Sequence, residues 1–477
     1  MNESAAGALL RLESLVVQNA GPSIGVPRDL FVSVNPDLVT DFGHYLNYEK
    51  RLAEACKRHG LDYACLGNRR ARLDHPGLVP IFERDSGHYS LTRASVRGHE
   101  DHVVDELQGI LLAAVHFLRQ RGDYRRIHVF MYCGSSRLAV RLSERRWAPS
   151  LNLCINAFWD FLLVEPTPAE LPQLRFQRVV HLLAMSDLHA KRWHMQSGLP
   201  FCAIPNPSPL LSDHDAYKNI RQRVCSRRAA GPLRVLVPGL MSRGKGREST
   251  QALLDHLHLC GTGGCEYVVR DRMAELKCGP IEQVRIITGD LSDMEVIALY
   301  RDTDVVLLPY EADVFAVRTS GALVDALVFG AVPIVLEGTW LSHQCRMYEV
   351  GQVLADAKPR TIVDAVSAVG ADIARARQRV PRAASLYLAR NNWSNLLDSV
   401  TLNDDYSEQP LAPDESGTTA SLLAAANRLM LAGQFASAAQ LYTWLQTAAP
   451  RAVYATYLEL CALRSGQSID ELLSINL

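Results

Sequence analysis

Short apolar runs alternate with helix-like segments along most of this chain, and the alternation leaves few folds open. From 27 to about 200, "DLFVSVNP" (29–36), "DYACLG" (62–67), "RIHVFMYCGSS" (126–136), "LNLCINAF" (151–158), "VVHLLAMS" (179–186) and "PFCAIPNP" (200–207) read as strands. "LNYEKRLAEACKRHG" (46–60) and "DHVVDELQGILLAAVHFLRQRG" (101–122) carry the period of amphipathic helices. Apolar strands separated by crossover helices build a parallel sheet covered on both faces. After the proline-rich "AIPNPSP" (203–209) and a charged stretch, the pattern starts again. "LRVLVPG" (233–239), "EYVVR" (266–270), "VRIITG" (284–289), "DVVLLPY" (304–310) and "AVPIVL" (331–336) read as strands. "STQALLDHLHL" (249–259) and "SDMEVIALYRDT" (292–303) read as helices, the latter with Ser292 as N-cap.

The expected fold class is α/β: two Rossmann-like domains facing a central cleft, plus a small C-terminal helical tail. The boundaries read as an extension over 1–26, a first unit over 27–203, a linker over 204–232 and a second unit over 233–385. A closing helix over 386–401 ("NNWSNLLDSV") ends the second unit. An acidic, Pro- and Ser-rich linker follows over 402–418, then a helical tail over 419–477. In the tail, "LLAAANRLMLAGQFASAAQLYTWLQTAAP" resembles one tetratricopeptide helix pair, or equally a plain helical hairpin. Open α/β sheets bind ligands at the C-terminal ends of their strands, so the cleft is the place to look for a site.

Bulk properties remove several function classes. A formal net charge of −1 gives no basic field for nucleic acid. Eleven cysteines show no C-x-x-C pair, which argues against a structural zinc site and fits a reducing compartment. The N-terminus carries Glu3 and Glu13 without a long apolar core, and no run reaches the length of a membrane helix. A cytoplasmic protein is expected, with peripheral contact at the inner membrane face left open.

Two stretches offer phosphate chemistry. "GLMSRGKGRES" (239–249) follows a strand and precedes a helix, and it matches G-x-x-x-x-G-K. The next position, which holds Ser or Thr in a P-loop, is Gly246, and "TDVVLLP" ends in proline where an acid would hold Mg²⁺. A nucleoside triphosphatase is therefore disfavoured. The turn can still bind phosphate through backbone N–H groups, aided by Lys245 or Arg243; the alternative is a loop with an exposed lysine. The second stretch is "RTSGALVDALVFGAVPIV" (318–335). The first N–H groups of its helix lack internal partners. Thr319 or Ser320 either caps them or leaves them to an anion at the positive helix end. Gly321 permits close approach. Asp325, four residues on and on the same face, either accepts ribose hydroxyls or pairs with Arg318.

With these motifs in order, residues 29 to about 400 resemble retaining glycosyltransferases of the GT-B fold, family 4. The family's motif is Glu, seven residues, Glu-Ala, then Gly-x-Pro and two valine-like residues. Here Asp325-Ala326 stands for the second Glu-Ala, and "FGAVPIV" matches the end of the motif. "DTDVVLLPY", "RGKG", "FGHYLNYEKRLAEAC", "AIPNP" and "NNWSNLL" resemble other landmarks of the family. The first Glu falls on Val317, and the resemblance puts a sugar-contacting acid there. Tyr310, Glu311 and Asp313, on the same loop, are candidate substitutes. The resemblance implies a nucleotide-diphosphate sugar as donor substrate, with no cofactor. Its diphosphate would be held by Ser320 and Gly321 N–H groups, Thr319, Arg318, Lys245 and Arg243. The acceptor would be a glycan, a lipid-linked glycan or a protein, and the tail is a candidate surface for a protein partner. No metal is expected, since the two Asp-x-Asp spacings, Asp213/Asp215 and Asp302/Asp304, fall in a linker and at a strand entry. On the acceptor side, His44 either meets the cleft or caps a helix. Asn156 and Asp160, after a strand end, either position the acceptor or serve the core.

Overall fold

The computed structural model describes residues 28–401, apart from 40–43, 74, 76, 92–93, 97, 122–123, 146, 148–149, 158–179, 198–200, 226–230 and 240–243, together with Ala439 and Tyr442. The first unit contains β1 (Arg28–Val34), α1 (His44–Arg58), β2 (Asp62–Asn68), β3 (Leu78–Phe82), α2 (Ser86–Tyr89), α3 (Glu100–Arg121), β4 (Tyr124–Met131), α4 (Ser136–Ser143), β5 (Leu151–Ala157), β6 (Val180–Ala184), α5 (Asp187–Ser197) and β7 (Cys202–Ala203). After α6 (Asp213–Cys225), the second unit runs β8 (Arg234–Val237), α7 (Arg247–Cys260), β9 (Glu266–Arg270), β10 (Val284–Ile287), α8 (Asp293–Arg301), β11 (Val305–Leu308), α9 (Ala312–Phe315), α10 (Gly321–Val328), β12 (Val332–Leu336), α11 (Trp340–Met347), β13 (Gln352–Leu354), α12 (Pro359–Ala371) and α13 (Ile373–Arg390). The last described helix is α14 (Trp393–Thr401).

The strands form two sheets, ordered β3-β2-β1-β4-β5-β6-β7 and β10-β9-β8-β11-β12-β13. Every pairing is parallel, with register such as Val32↔Val129 in the first sheet and Val305↔Val332 in the second. All of β5 and all of β11 are buried, as strands covered on both faces must be. Each sheet reverses its order once, between β1 and β4 and between β8 and β11. That is the doubly wound arrangement, which opens a crevice at the reversal.

Local chemistry sets several boundaries. Ser292 caps α8 as expected, in a full capping box with Glu295. The charged 210–232 stretch, expected as a linker, contains α6. Its Ala216 and Ile220 pack into the second core, and Asn219 Nδ2 donates to the Val328 carbonyl at 2.8 Å. The closing helix differs too. Trp393, Leu396, Leu397 and Val400 of α14 pack with Phe31, Tyr48 and Leu52, so the chain ends its second unit on the first unit's core. The two crossings are stitched together. Trp393 Nε1 donates to the Ser208 carbonyl at 3.2 Å, and Tyr387 Oη to the Asn206 carbonyl at 2.9 Å. Among the described residues no helix is long and apolar enough to cross a membrane. The tail reading lies outside the described residues, save Ala439 and Tyr442, which are helical and buried.

Candidate functional site

A cleft of about 320 Å³ lies between the two sheets at the β8/β11 reversal. Lys245, Tyr310, Arg318, Thr319, Ser320, Gly321 and Asp325 all line it. Local physics explains their presentation. After β11, Pro309 and Tyr310 turn the chain outward, and Phe315 packs under the loop with the Arg318 guanidinium 5.2 Å over its ring. Ser320 is the N-cap of α10 by position and is extended, yet it makes no side-chain cap. Its hydroxyl bonds the Tyr310 phenol instead. The first amides of α10 are thus left without a side-chain cap, at the positive end of the helix. Gly321 leaves room beside them: a Cβ there would come no closer than 3.8 Å to Pro209.

Lys245 reaches the cleft from a turn that only glycines can make. Gly244 and Gly246 both have positive φ, +82° and +76°. A Cβ on Gly246 would stand 2.2 Å from the Pro309 carbonyl oxygen. The Ser or Thr of a P-loop therefore cannot occupy this position without moving the β11 loop. Gly246→Ser is expected to destabilise the fold by more than about 2 kcal/mol, read from the urea midpoint, because clash and left-handed backbone add.

Burial shapes the charges. Desolvation pulls the Lys245 ammonium down to about 8, with the Arg318 charge acting the same way. Burial pushes the Tyr310 phenol up to about 12, against the Ser320 bond and the Arg318 charge. Asp325 is 6% exposed, and burial raises its carboxyl to about 7. A bond from Ser208 Oγ to Asp325 Oδ1 at 2.8 Å opposes that rise. Asp325 thus pairs with Ser208 on the interdomain crossing rather than with Arg318.

The other expected residues fall elsewhere. Asn156 does not line the cleft. It is fully buried at the end of β5, where its Nδ2 donates to the Tyr132 carbonyl at 3.1 Å and contacts Met185 Sδ at 3.2 Å. It supports two residues that do line the cleft, Tyr132 and Met185, because every side chain of β5 points into packed layers. His44 begins α1. Asp160 and Arg243 lie outside the described residues. Both Asp-x-Asp spacings serve structure. Asp213 accepts from Trp393 N and Asp304 from Arg234 N, at 3.0 and 2.9 Å. Glu311 and Asp313 stand outside the cleft lining, and the Val317 carbonyl accepts from Ser186 Oγ at 3.4 Å.

Sequence reasoning missed Ser208, Arg270, Arg272, Asp290 and Asn47. Asn47 Nδ2 donates to Asp293 Oδ1 at 2.7 Å, joining the two units across the cleft. These residues reach the site through sheet order and domain packing, which leave no local signature.

By sequence, no family model and no curated protein matches this chain. Solved structures do. Sucrose-phosphate synthase from Thermosynechococcus elongatus superposes with a TM-score of 0.52 at 14% identity, covering 80% of this chain and 98% of that one. An α,α-trehalose 6-phosphate synthase from Burkholderia multivorans gives 0.52 at 13%, with 80% and 99% covered. This is the GT-B fold. The N-terminal domain of a trehalose-6-phosphate phosphatase from Candida albicans gives 0.54 at 9%, with 82% and 99% covered. At such identity the likeness shows the architecture alone, since one fold carries many chemistries.

Proposed function

We propose that this protein is a glycosyltransferase. It moves a sugar from a nucleoside diphosphate to a glycan, a lipid-linked glycan or a protein, with retention and without a metal ion. One observation carries the reading: the N-terminus of α10 opens, without a side-chain cap, onto an interdomain cleft also lined by Lys245 and Arg318. Departure of the sugar places negative charge on the diphosphate. Amides and cations held in place beforehand stabilise that charge without reorganising. Asp325 accepts the ribose hydroxyls after exchanging its Ser208 bond. The acceptor enters from the first unit, on the face from which the diphosphate leaves.

Incubation with a panel of nucleotide sugars, with and without chelator, tests this by release of nucleoside diphosphate. Release that chelator does not suppress is the expected result. No release from any donor would overturn the enzymatic reading. A pH profile follows from the two shifted groups. Below about 7 Asp325 is protonated and loses acceptor strength, and above about 8 Lys245 loses its charge. Nucleotide affinity is expected to peak between these values and fall on either side, measured by calorimetry.

A second reading is favoured by the loop before α10. Val317 occupies the position of the sugar-contacting acid, and neither Glu311 nor Asp313 lines the cleft. A glycosyltransferase-like binding or scaffold protein would be thermally stabilised by UDP or GDP with no turnover.

A further inference from the structure

The outer end of the cleft carries the chemistry to choose the donor's base. The second sheet runs β10-β9-β8-β11 from its edge inward. The ends of β8, β9 and β10 therefore lie one, two and three strand spacings from β11, roughly 5 Å each. The proposed phosphate site at α10 follows β11. Outward from it the cleft is lined by Leu236 and Pro238, then Arg270 and Arg272, then Asp290 and Leu291. An extended nucleotide whose phosphates sit on α10 places its base among these residues. Leu236, Pro238 and Leu291 offer apolar surface to the base faces.

The two arginines differ. Arg272 Nε pairs with Asp290 Oδ1 at 2.5 Å and is neutralised. Arg270 forms no ion pair among the described residues. Its Nη2 donates to the Gly289 carbonyl at 3.1 Å, while its Nε is buried and meets no acceptor. A buried, unused donor on a charged group costs free energy, which a turn of the side chain toward an accepting ligand in the cleft would recover.

We propose that Arg270 reads the outer edge of the base and that the donor is a guanine nucleotide. This rests on the nucleotide-sugar reading above. The Nε–H and the neighbouring Nη–H of a guanidinium are two donors side by side. Guanine presents two adjacent acceptors, O6 and N7, on its major-groove edge. Adenine sets an amino donor beside N7, and cytosine ends its outer edge in an amino group. Uracil separates its two carbonyls by an N–H. Of these bases, guanine alone offers the fork two adjacent acceptors.

Calorimetric titration of the full chain with GDP, UDP, ADP and CDP tests the assignment. GDP is expected to bind on the order of ten- to a hundredfold more tightly than the others. On the unmodified protein, 7-deaza-GDP is expected to lose about tenfold against GDP, because it lacks the N7 acceptor. Arg270→Lys keeps the charge and loses the fork, so GDP affinity should fall to within about threefold of that for UDP. The variant's unliganded melting midpoint checks its fold. Tighter binding of UDP, ADP or CDP, equal binding of 7-deaza-GDP, or a GDP preference that survives in a folded Arg270→Lys variant would overturn the base assignment and leave the nucleotide reading standing. Failure of all four diphosphates to bind would instead remove the nucleotide reading itself.

Discussion

Asp325→Asn is expected to make this protein more stable and less able to hold a nucleotide. The carboxyl lies under α10 at 6% exposure, and burial raises it from 3.8 to about 7. A carboxyl raised on folding favours the folded state fully only below its unfolded value. That contribution is lost as pH rises from about 4 through about 7. The full difference is at most on the order of 4 kcal/mol. Asn has the same shape and can keep the bond from Ser208 Oγ, but it carries no charge to desolvate. Urea unfolding at pH 8 should therefore show a gain of roughly 2–4 kcal/mol, shrinking toward zero near pH 4. Over the same change, nucleoside diphosphate affinity at pH 8 should fall about ten- to a hundredfold, because charged acceptors for two ribose hydroxyls are lost. If Asn raises stability and leaves nucleotide affinity untouched, Asp325 is not the ribose acceptor.

What the sequence disclosed, and what it withheld, divides along the range of the interactions. The strand ending in "VVLLPY" and the turn "RTSG" are contiguous, so Tyr310, Ser320, Gly321 and Asp325 could be placed on one strand–loop–helix unit without a structure. The same holds for Lys245, whose turn is fixed by two glycines that a side chain would drive into Pro309 and Val314. Charge density obscured α6: its apolar residues Ala216 and Ile220 are few and join the second core, where α6 packs against α10 and α13. β3, absent from the strands expected, is five residues long and interrupted by Pro80, which its place at the sheet edge tolerates. Asn156 could be read either way, as an acceptor-positioning residue or as a core residue, because its place near a strand end says nothing of the next layer; that layer closes over β5, and Asn156 serves the core. Ser208 and Arg270 were beyond reach for a different reason. Ser208 meets Asp325 across 117 positions of sequence, and Arg270 enters the cleft only because β9 lies two strands from β11. Neither fact leaves a trace in local periodicity.

Gly321→Glu is expected to abolish nucleoside diphosphate binding while leaving the fold as stable as before, or more so. Gly321 is the first residue of α10, and the space beside it is open, with Pro209 at 3.8 Å from a built Cβ. An acid in the first turn of a helix complements the positive end and typically gains about 0.3–1 kcal/mol. The melting midpoint should hold or rise. The same carboxylate would occupy the ground proposed for the diphosphate and repel it, so affinity for GDP or UDP should drop more than about a hundredfold. Gly321→Ala adds bulk without charge and should cost less than about tenfold. A nucleoside without phosphates, which never meets the helix end, should bind the Glu variant as it binds the unmodified chain. The three measurements separate causes that one variant would confuse. Loss confined to phosphorylated ligands places the anion on α10; equal loss for nucleoside and nucleotide marks a blocked cleft; no loss for either means that the open helix end serves some other purpose.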